Sequence, residues 1–545
     1  MANSVLLKLL PGDSGFNSED GPDGTGAPEV RYGAGESLSE AVYLSGLVEP
    51  PALCSGIARC GRCRMRIVRA PDMPPPLPAD RAVFSEDELA AGMRLACRHR
   101  PQEGMLVELP PKSLARGGPQ APAPLPGRAA ARGFLAIDLG TTSMQWRLVT
   151  PSGDILRSGG RINPQMGAGS DVMSRLAAAG TAAGRERLSR LTLEALMDAA
   201  LPAPGESPPE AACLAANTAM SAIALNLDTR RLAAAPYGLP LAGGEWEDVP
   251  GLPPLWLPPQ ISPFVGGDVS AGYAALALDP DAAPVEYPFL LADMGTNGEF
   301  LLALAPDRAL AGSVPLGPAL EGIGLSHGML AGPLAVSAFS LGPKGLSALT
   351  VAAGSGPLSP APDDLALPGI TGAGYISLMR ILLQSRAMDR DGRFTPLDSG
   401  PLARFFPVSH GEGGEPVLAL AGGLALPASD VEEILKVKAA FSLALKRLLA
   451  NADMAARDLK RIFLAGALGR HVDKAAMEET GFLPPGAAAR TQAVGNSSLA
   501  GACFLVRSGQ GRAALNHWAG QARSLDLASD PAFIRAYAEN MRFSW

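Results

Sequence analysis

Four cysteines near the start of the chain are the residues most able to do chemistry. They are Cys54, Cys60, Cys63 and Cys97. Their spacing, C-x5-C-x2-C with a distant fourth cysteine, is one residue longer in its first loop than the spacing of plant-type [2Fe–2S] sites. Gly56 and Gly61 allow such a loop to wrap closely around a cluster and point backbone N–H groups at its sulfurs. The pattern predicts a [2Fe–2S] cluster held by the four thiolates.

Other uses of these thiols are open at this point. Disulfides are not expected, because the opening residues MANSVLLKLL contain no apolar run long enough for a secretory signal. A structural zinc site is an alternative, although zinc ribbons pair two C-x2–4-C knuckles and Cys97 stands alone. Unrelated thiols are a further alternative. Cys213 and Cys503, in Ala-rich apolar stretches, are expected to be buried small hydrophobic residues.

A second group of polar residues occurs twice, in FLAIDLGTTSMQWRLV (134–149) and FLLADMGTNGEFLLAL (289–304). Each segment predicts a strand, a tight D-x-G-T turn and a second strand. The carboxylate can hold Mg²⁺, the glycine lets the backbone approach, and the residues after it offer N–H and O–H donors to phosphate oxygens. The first predicted set is Asp138, Gly140, Thr141 and Thr142; the second is Asp293, Gly295, Thr296, Asn297 and Gly298.

One D-x-G-T turn alone would be ordinary turn chemistry, whereas two copies on matching hairpins favour a site for ATP with Mg²⁺. We therefore predict Asp138 and Asp293 as its catalytic carboxylates. The segment RIFLAGALGRHVD (461–473) adds a predicted strand, a glycine turn and a helix, with Gly466 and Gly469 allowing close approach of the nucleotide. There is no Walker A motif and no G-x-G-x-x-G after a strand, which disfavours P-loop and Rossmann sites.

The composition of the chain limits which kinds of partner are expected. The 545 residues carry a formal net charge of −7 and no basic stripe, which argues against nucleic acid. Hydrophobic residues make up 47% of the chain, yet apolar runs such as 417–427 are short and broken by Gly and Pro, so no membrane segment is expected. We expect a cytoplasmic protein with reduced thiols.

The elements that must position these residues fall into four predicted units. Residues 1–109 are expected to form a β-grasp [2Fe–2S] ferredoxin-like α+β domain, in which Ser37 and Glu40 provide a capping box for a short helix before the cysteine loop. Residues 110–132 are rich in Pro, Ala and Gly and predict a linker. Residues 133–285 and 286–545 are expected to be two α/β lobes of an actin- or sugar-kinase-like ATPase.

The clearest predicted helix is 428–453, with Ser429 and Glu432 as a capping box. Its apolar stripe comprises Val431, Ile434, Leu435, Phe441, Leu445, Leu448 and Leu449.

The paired D-x-G-T hairpins and the G-A-L-G turn resemble the acetate kinase, sugar kinase, Hsp70 and actin superfamily. Joined to an N-terminal [2Fe–2S] domain, they resemble the ATP-dependent reductive activators of corrinoid proteins. Segments 162–176, 217–227, 264–273, 317–332 and 369–379 share this resemblance. It departs from some relatives at Leu435, Val437 and His327, and the C-terminal tail has no cysteine.

This resemblance implies a function: ATP hydrolysis coupled to reduction of an inactive Co(II) corrinoid protein of a methyltransferase system to Co(I). It makes a homodimer plausible and leaves the upstream electron donor unknown. The Gly-rich loop 317–332 is a predicted contact surface for the corrinoid protein. The alternative is a small-molecule kinase of the same superfamily with an appended redox domain, for which Asp268, Glu299 and Glu321 would be the general-base candidates. An electron carrier with an inert ATPase scaffold, and the activators of acyl-CoA dehydratases, rank lower.

Overall fold

The computed structural model describes residues 4–8, 28–109, 132–203, 206–351, 358–362, 365–395, 402–411, 414–466, 472–527 and 531–545. The predicted linker, apart from Arg132, and the predicted nucleotide residue Gly469 lie outside these ranges. No described helix combines the length and the apolar composition that a membrane crossing requires.

A five-stranded sheet forms the N-terminal domain, which is ferredoxin-like. Its strands, in spatial order, are Glu29–Arg31, Ser4–Lys8, Met105–Glu108, Arg64–Arg69 and Met93–Leu95. Ser4–Lys8 and Met105–Glu108 run parallel, and the other neighbours are antiparallel. The helices are Leu38–Tyr43, Pro78–Arg81 and Glu86–Ala90, with a 3₁₀ turn at Ala96–Arg98.

The helix before the cysteine loop confirms the predicted capping box. Ser37 Oγ accepts from the Glu40 N–H, and Glu40 Oε2 accepts from the Ser37 N–H at 2.6 Å. Leu38, Val42 and Tyr43 are buried and pack the helix into the core of the domain. The cap fixes where the helix begins, and the buried face fixes its orientation on the sheet.

The first lobe is built on a six-stranded sheet. Its strands, in spatial order, are Trp246–Glu247, Leu255–Trp256, Ala212–Ala216, Phe134–Leu139, Ser143–Val149 and Ile155–Ile162. Around it lie the helices Val172–Ala178, Ala182–Ala200, Thr218–Ala224, Arg230–Ala233 and Gly267–Tyr273, a 3₁₀ turn at Pro164–Ala168 and a π-helical turn at Ala274–Leu278.

The second lobe has a six-stranded sheet whose central strands are arranged as in the first lobe. Its strands, in spatial order, are Thr491–Gly495, Arg461–Ala465, Phe289–Met294, Asn297–Ala305, Arg308–Pro315 and Arg523–Leu525. Two small antiparallel sheets accompany it: Val336–Gly342, Gly345–Val351 and Leu358–Pro360; and Val408–His410, Pro416–Ala419 and Ala425–Pro427. The helices are Gly372–Gln384, Ala428–Asn451, Lys474–Glu479, Ser497–Arg507, Gly509–Ala519 and Pro531–Glu539.

The two large sheets explain why the D-x-G-T segment occurs twice in the sequence. In each, an antiparallel hairpin carries the D-x-G-T turn, and the first hairpin strand pairs in parallel with a buried strand from later in the chain. The parallel partners are Ala212–Ala216 in the first lobe and Arg461–Ala465 in the second. The carboxyl ends of these parallel strands therefore lie next to the turns in both lobes.

The lobes share part of their core. Helix Ser497–Arg507, late in the chain, packs against helix Gly267–Tyr273 and against the first sheet. Gly501 permits this crossing, because a Cβ there would lie 1.9 Å from the Ala271 carbonyl oxygen. The C-terminal lobe as predicted, 286–545, thus contributes a helix to the packing of the first lobe.

The long helix Ala428–Asn451 confirms the predicted apolar stripe, whose members are all buried. Its predicted capping box is wrong. The helix begins at Ala428, as predicted, but its N-cap is Pro427, two residues before Ser429, and no side chain caps it. Ser429 lies in the first turn, where its N–H donates to Glu415 Oε1 at 2.8 Å. The Glu415 carboxylate, just before strand Pro416–Ala419, therefore accepts the hydrogen bond that the sequence assigned to Glu432.

Candidate functional site

The four predicted cluster cysteines line one cavity of about 540 Å³. Three of them come from the cysteine loop, residues 54–63, and Cys97 comes from the 3₁₀ turn after Met93–Leu95. The loop has left-handed backbone at four positions: Ser55, Gly56, Ala58 and Gly61, with φ of 50°, 79°, 67° and 62°. Repeated left-handed residues curl the chain tightly around the thiols, as the two glycines predicted.

The thiols stand as two pairs. Cys54 and Cys60 hydrogen bond to each other, as do Cys63 and Cys97. The bond from the Cys60 thiol lowers the pKa of Cys54 to about 5, and backbone N–H groups of Cys60, Arg59 and Ala58 act in the same direction. The loop amides therefore point at sulfur.

A 2 + 2 arrangement of thiols suits a binuclear cluster, in which each iron takes two protein ligands. Among the described residues, no three His, Cys, Asp or Glu side chains gather in the way a single metal ion needs. A mononuclear zinc site requires four ligands around one point. By donor chemistry and pairing, the four cysteines fit an iron–sulfur cofactor.

The first D-x-G-T turn is held from several sides. Asp138 Oδ2 accepts from Asn496 Nδ2 at 2.7 Å, and burial raises the pKa of Asp138 to about 7. Thr141 Oγ1 accepts from Asn217 Nδ2 at 3.2 Å. The Gly140 carbonyl accepts from Asn163 Nδ2 at 2.7 Å. Thr142 is buried at the tip of the turn.

The second turn places Asp293 among other carboxylates. Burial first, and then the nearby carboxylates Asp268 and Asp138, raise the pKa of Asp293 to about 8. Gly466 lies beside it, with φ +89° and space for no side chain: a Cβ would lie 2.7 Å from Asp293 Oδ1. Thr296 Oγ1 donates to Glu321 Oε1 at 2.9 Å.

Other members of the second turn are also closely packed. The Gly295 N–H donates to the Asn297 carbonyl at 3.1 Å. A Cβ at Gly298 would lie 2.8 Å from Leu316. Asn297 contacts Glu299 by a side-chain hydrogen bond, and burial raises the pKa of Glu299.

The two turns meet face to face. Thr142 Oγ1 lies 3.4 Å from Thr296 Oγ1, although the residues are 154 positions apart. A cleft between two D-x-G-T turns offers hydroxyl and amide donors from both sides, which is what a polyphosphate requires.

Five carboxylates gather in this cleft: Asp138, Asp268, Asp293, Glu299 and Glu321. Burial is the largest cause that raises the pKa of each, for Asp268 to about 6. Such a group disfavours its own ionisation unless a cation enters. Mg²⁺ suits this role, because it is held by one or two carboxylates together with substrate phosphates rather than by an all-protein cage.

The sequence did not identify three residues that build the cleft. Asn217 follows the buried parallel strand Ala212–Ala216, Asn496 follows the parallel strand Thr491–Gly495, and each caps the next helix. For Asn217, the position directly after an apolar run was the available signal. Arg175 is fully buried, and its guanidinium donates to the carbonyls of Thr141 and Gly169. Nothing in the local sequence marks that burial.

Two family models match adjoining regions of this chain. They are "RACo middle region" over residues 134–281 and "C-terminal domain of RACo the ASKHA domain" over residues 288–545. The fold and the cleft thus define a two-lobed protein of the acetate kinase, sugar kinase, Hsp70 and actin superfamily joined to a ferredoxin-like domain. Across the two matched regions, the chain belongs to the RACo family.

Curated relatives include the corrinoid activation enzyme RamQ of Eubacterium limosum, 26% identical over 440 residues, or 75% of this chain and 70% of that protein. The [Co(II) methylated amine-specific corrinoid protein] reductase of Methanosarcina barkeri is 30% identical over 264 residues, 46% of this chain and 44% of that protein. A component of the Na(+)-translocating NADH-quinone reductase of Chlamydia felis is 32% identical over 114 residues, 21% of this chain and 24% of that protein.

A solved structure, "Reductive activator for corrinoid,iron-sulfur protein", aligns with 99% of this chain and covers 98% of its own, with a TM-score of 0.64 and 22% identity. At that identity the match supports the fold over the full length, including the order of the ferredoxin-like domain and the two lobes.

Proposed function

We propose that this chain uses ATP to drive one-electron reduction of a Co(II) corrinoid protein of a methyltransferase system to Co(I). The observation that carries the proposal is one molecule with two sites: a cavity lined by the four cysteines and by residues 166–169 of the first lobe, and a pair of D-x-G-T turns that meet where the two lobes adjoin. The names of the relatives, corrinoid activation enzyme and corrinoid protein reductase, point the same way.

In this proposal Cys54, Cys60, Cys63 and Cys97 ligate a [2Fe–2S] cluster. When bound, the cluster would supply one electron at a time, at roughly −400 mV for the plant type. Each 59 mV by which an acceptor lies lower costs about a factor of ten in a one-electron equilibrium. A low-potential Co(II)/Co(I) couple therefore needs an energy source.

ATP with Mg²⁺ would be that source. Asp138 and Asp293 would hold the metal, and Thr141, Thr142, Thr296 and Asn297 would offer donors to the phosphates. The glycines that would let the nucleotide approach are Gly140, Gly295, Gly298 and Gly466, with Gly469 predicted from the sequence. Coupling requires that the nucleotide states differ in affinity for the corrinoid partner. The same proposal places the protein in the cytoplasm as a homodimer and leaves its upstream electron donor unidentified.

One experiment tests the redox half. Anaerobically purified protein should contain about two iron per chain and show the S = ½ signal of a reduced [2Fe–2S] cluster. Cys63→Ser should lose that iron and signal, because serine replaces a ligating thiolate. Cys503→Ser is the matched control, since Cys503 packs in the core shared by the lobes, and should keep both. Stoichiometric zinc in the wild-type protein would refute the cluster.

A second measurement separates the proposal from its main alternative. The reductase consumes ATP when a Co(II) corrinoid protein and a reductant are present, and Co(I) appears in the optical spectrum. A kinase consumes ATP in proportion to an added alcohol or carboxylate, with Asp268, Glu299 or Glu321 as general base. Burial raises the pKa of all three, which suits a base, so substrate dependence decides between the two.

A further inference from the structure

The cysteine loop touches both lobes, at segments that also touch the D-x-G-T turns. On the second-lobe side, Arg62 lies between two of the cluster cysteines, and its guanidinium donates to the carbonyls of Ala52, Gly322 and Gly328. Ile323 packs with Ala52 and Cys54 in a small buried cluster. Residues 322–330 of the Gly-rich loop, predicted as a contact surface for the corrinoid protein, therefore contact the ferredoxin-like domain here.

Directly before Gly322, the Gly-rich loop also contacts the second D-x-G-T turn. Glu321, directly before Gly322, is buried, and its carboxylate accepts from Thr296 Oγ1 and from the Thr142 side chain. Gly322 has φ +71°, and a Cβ there would lie 2.2 Å from the Met329 carbonyl oxygen. A Cβ at Gly328 would lie 2.5 Å from the Gly322 carbonyl oxygen, so the two second-lobe carbonyls that Arg62 holds are packed together, and a shift at Glu321 reaches both.

A parallel connection exists on the first-lobe side. Arg175 joins the Thr141 carbonyl to the Gly169 carbonyl. The next residue, Ser170, donates its N–H to Ser55 Oγ at 2.7 Å, and Ser55 Oγ also lies 3.2 Å from Asp171 Oδ2. On each side, two side chains therefore connect a D-x-G-T turn to the cysteine loop. They are Glu321 and Arg62 on the second-lobe side, and Arg175 and Ser55 on the first-lobe side.

We propose that Arg62 is a positioning residue through which nucleotide binding at the two turns loosens the cysteine loop from the second lobe. This inference rests on the proposed function, because it takes the cleft as a nucleotide site and the thiols as a cluster site. Arg62 acts on the cluster only through the loop that it anchors.

Nucleotide binding is expected to loosen this contact, because the nucleotide competes for a hydrogen-bond donor. A threonine hydroxyl has one proton to donate. The hydroxyl of Thr296 donates it to Glu321, and a nucleotide phosphate between the turns competes for it. Glu321 must move, Gly322 follows it, and Arg62 loses carbonyl partners.

The first-lobe connection responds differently. It meets its turn through the Arg175 guanidinium and a backbone carbonyl, so a phosphate does not compete there for a hydroxyl proton. The loop is therefore expected to stay attached through Ser55 while its Arg62 side is released. Release on one side would open the cavity towards a partner without freeing the whole domain.

Hydrogen–deuterium exchange on the cluster-loaded chain tests this inference without a corrinoid protein. Three states are compared: no nucleotide, Mg²⁺ with a non-hydrolysable ATP analogue, and Mg²⁺ with ADP. With the analogue, peptides covering 54–63 should exchange roughly five- to tenfold faster, the change expected for the loss of one or two hydrogen bonds. Peptides covering the two turns should exchange more slowly in the same sample.

Arg62→Ala should exchange fast at 54–63 in all three states, because the contact is already absent. Arg66→Ala is the matched control: Arg66 is exposed on the following strand, pairs with Glu108 at 3.0 Å, and should behave as wild type. Arg62→Lys, which keeps the charge, should fall between them and serves if the alanine variant loses iron.

Unchanged exchange at 54–63 while the turns become protected would overturn the inference and leave the proposed function standing. A nucleotide effect that survives intact in both Arg62 variants would overturn it too. If the analogue protects neither turn, the nucleotide site itself is refuted, and the inference falls with the proposed function.

Discussion

At the residue scale, the cleft is defined by carboxylates that are costly to ionise. Asp138 and Asp293 have pKa values raised to about 7 and about 8, in both cases chiefly by burial. An acid whose pKa is raised in the folded state keeps its proton while the unfolded chain loses it. From these two groups, folding stability without nucleotide therefore falls as pH rises from about 4 to about 8.

Binding of Mg²⁺ with nucleotide should reverse that trend, because the metal stabilises the ionised carboxylates. We expect binding of a non-hydrolysable ATP analogue with Mg²⁺ to release protons and to tighten between about pH 6 and about pH 8.5. Titration calorimetry at pH 7 in two buffers of different ionisation enthalpy measures the number of protons released.

Asp138→Asn should release fewer protons and bind more weakly. Asp228→Asn is the control, because the hydrogen bond to Arg230 already lowers the pKa of exposed Asp228 to about 2. The affinity of the wild-type protein, measured by the same method at about pH 6 and about pH 8.5, should be higher at the upper value; equal affinities would contradict the carboxylate assignment.

How well the sequence predicts single residues depends on how local their role is. The strand–turn–strand pattern located Asp138 and Asp293, since both the strand and the turn leave a signal within a few neighbours. The burial of Arg175 and the partnership of Asn496 with Asp138, 358 positions apart, have no such signal. Contacts of that range depend on how the two sheets pack, which no window of sequence contains.

At the element scale, the crossing of helices Gly267–Tyr273 and Ser497–Arg507 matters most, because it joins the lobes beside the cleft. The second helix begins just after Asn496, the partner of Asp138. Its distance from the first helix is set by Gly501, and a Cβ at Gly272 would lie 2.9 Å from Ser497 Oγ. Small residues on both helices let the two backbones approach.

Gly501→Ala should therefore destabilise the lobes, although alanine is the better helix former. The added methyl meets a backbone carbonyl that cannot rotate away, and overpacking of this kind costs about 1–3 kcal/mol. The midpoint of urea unfolding should fall. In Gly509→Ala, the Cβ would meet only Arg512 Nη2 at 3.6 Å, so its midpoint should hold or rise. Equal midpoints in both variants would show that the crossing tolerates a methyl group.

Element boundaries show a related limit of sequence analysis. The hairpin strands and the helix after Ser37 were predicted well, because their caps and alternation are local. The capping box at Ser429 and Glu432 failed, since Glu415 supplies the acceptor from another strand connection. A capping pattern predicts a helix start only where no tertiary group takes its place.

At the scale of the whole molecule, the ferredoxin-like domain is docked on the first lobe by ionic contacts as well as by the cysteine loop. Arg187 Nη1 lies 2.8 Å from Glu36 Oε1, and Arg187 Nε donates to the Leu44 carbonyl at 2.9 Å. Arg161 lies 2.9 Å from Glu49. None of these residues lines the cavity of the thiols, so docking can be changed without replacing a predicted cluster ligand.

Reversing one charge tests whether docking protects the cavity. Arg187→Glu places a carboxylate opposite Glu36 and removes the bond to Leu44, so the domain should separate from the lobe. The radius of gyration from X-ray scattering should rise, and a chelator should remove iron faster. Because like charges repel and opposite charges attract at this separation, combining Arg187→Glu with Glu36→Arg should restore much of the compact shape and slow the iron loss. If the single variant keeps the wild-type radius and iron retention, the ionic contacts contribute little, and the loop contacts of Ser55 and Arg62 with the lobes hold the domain in place.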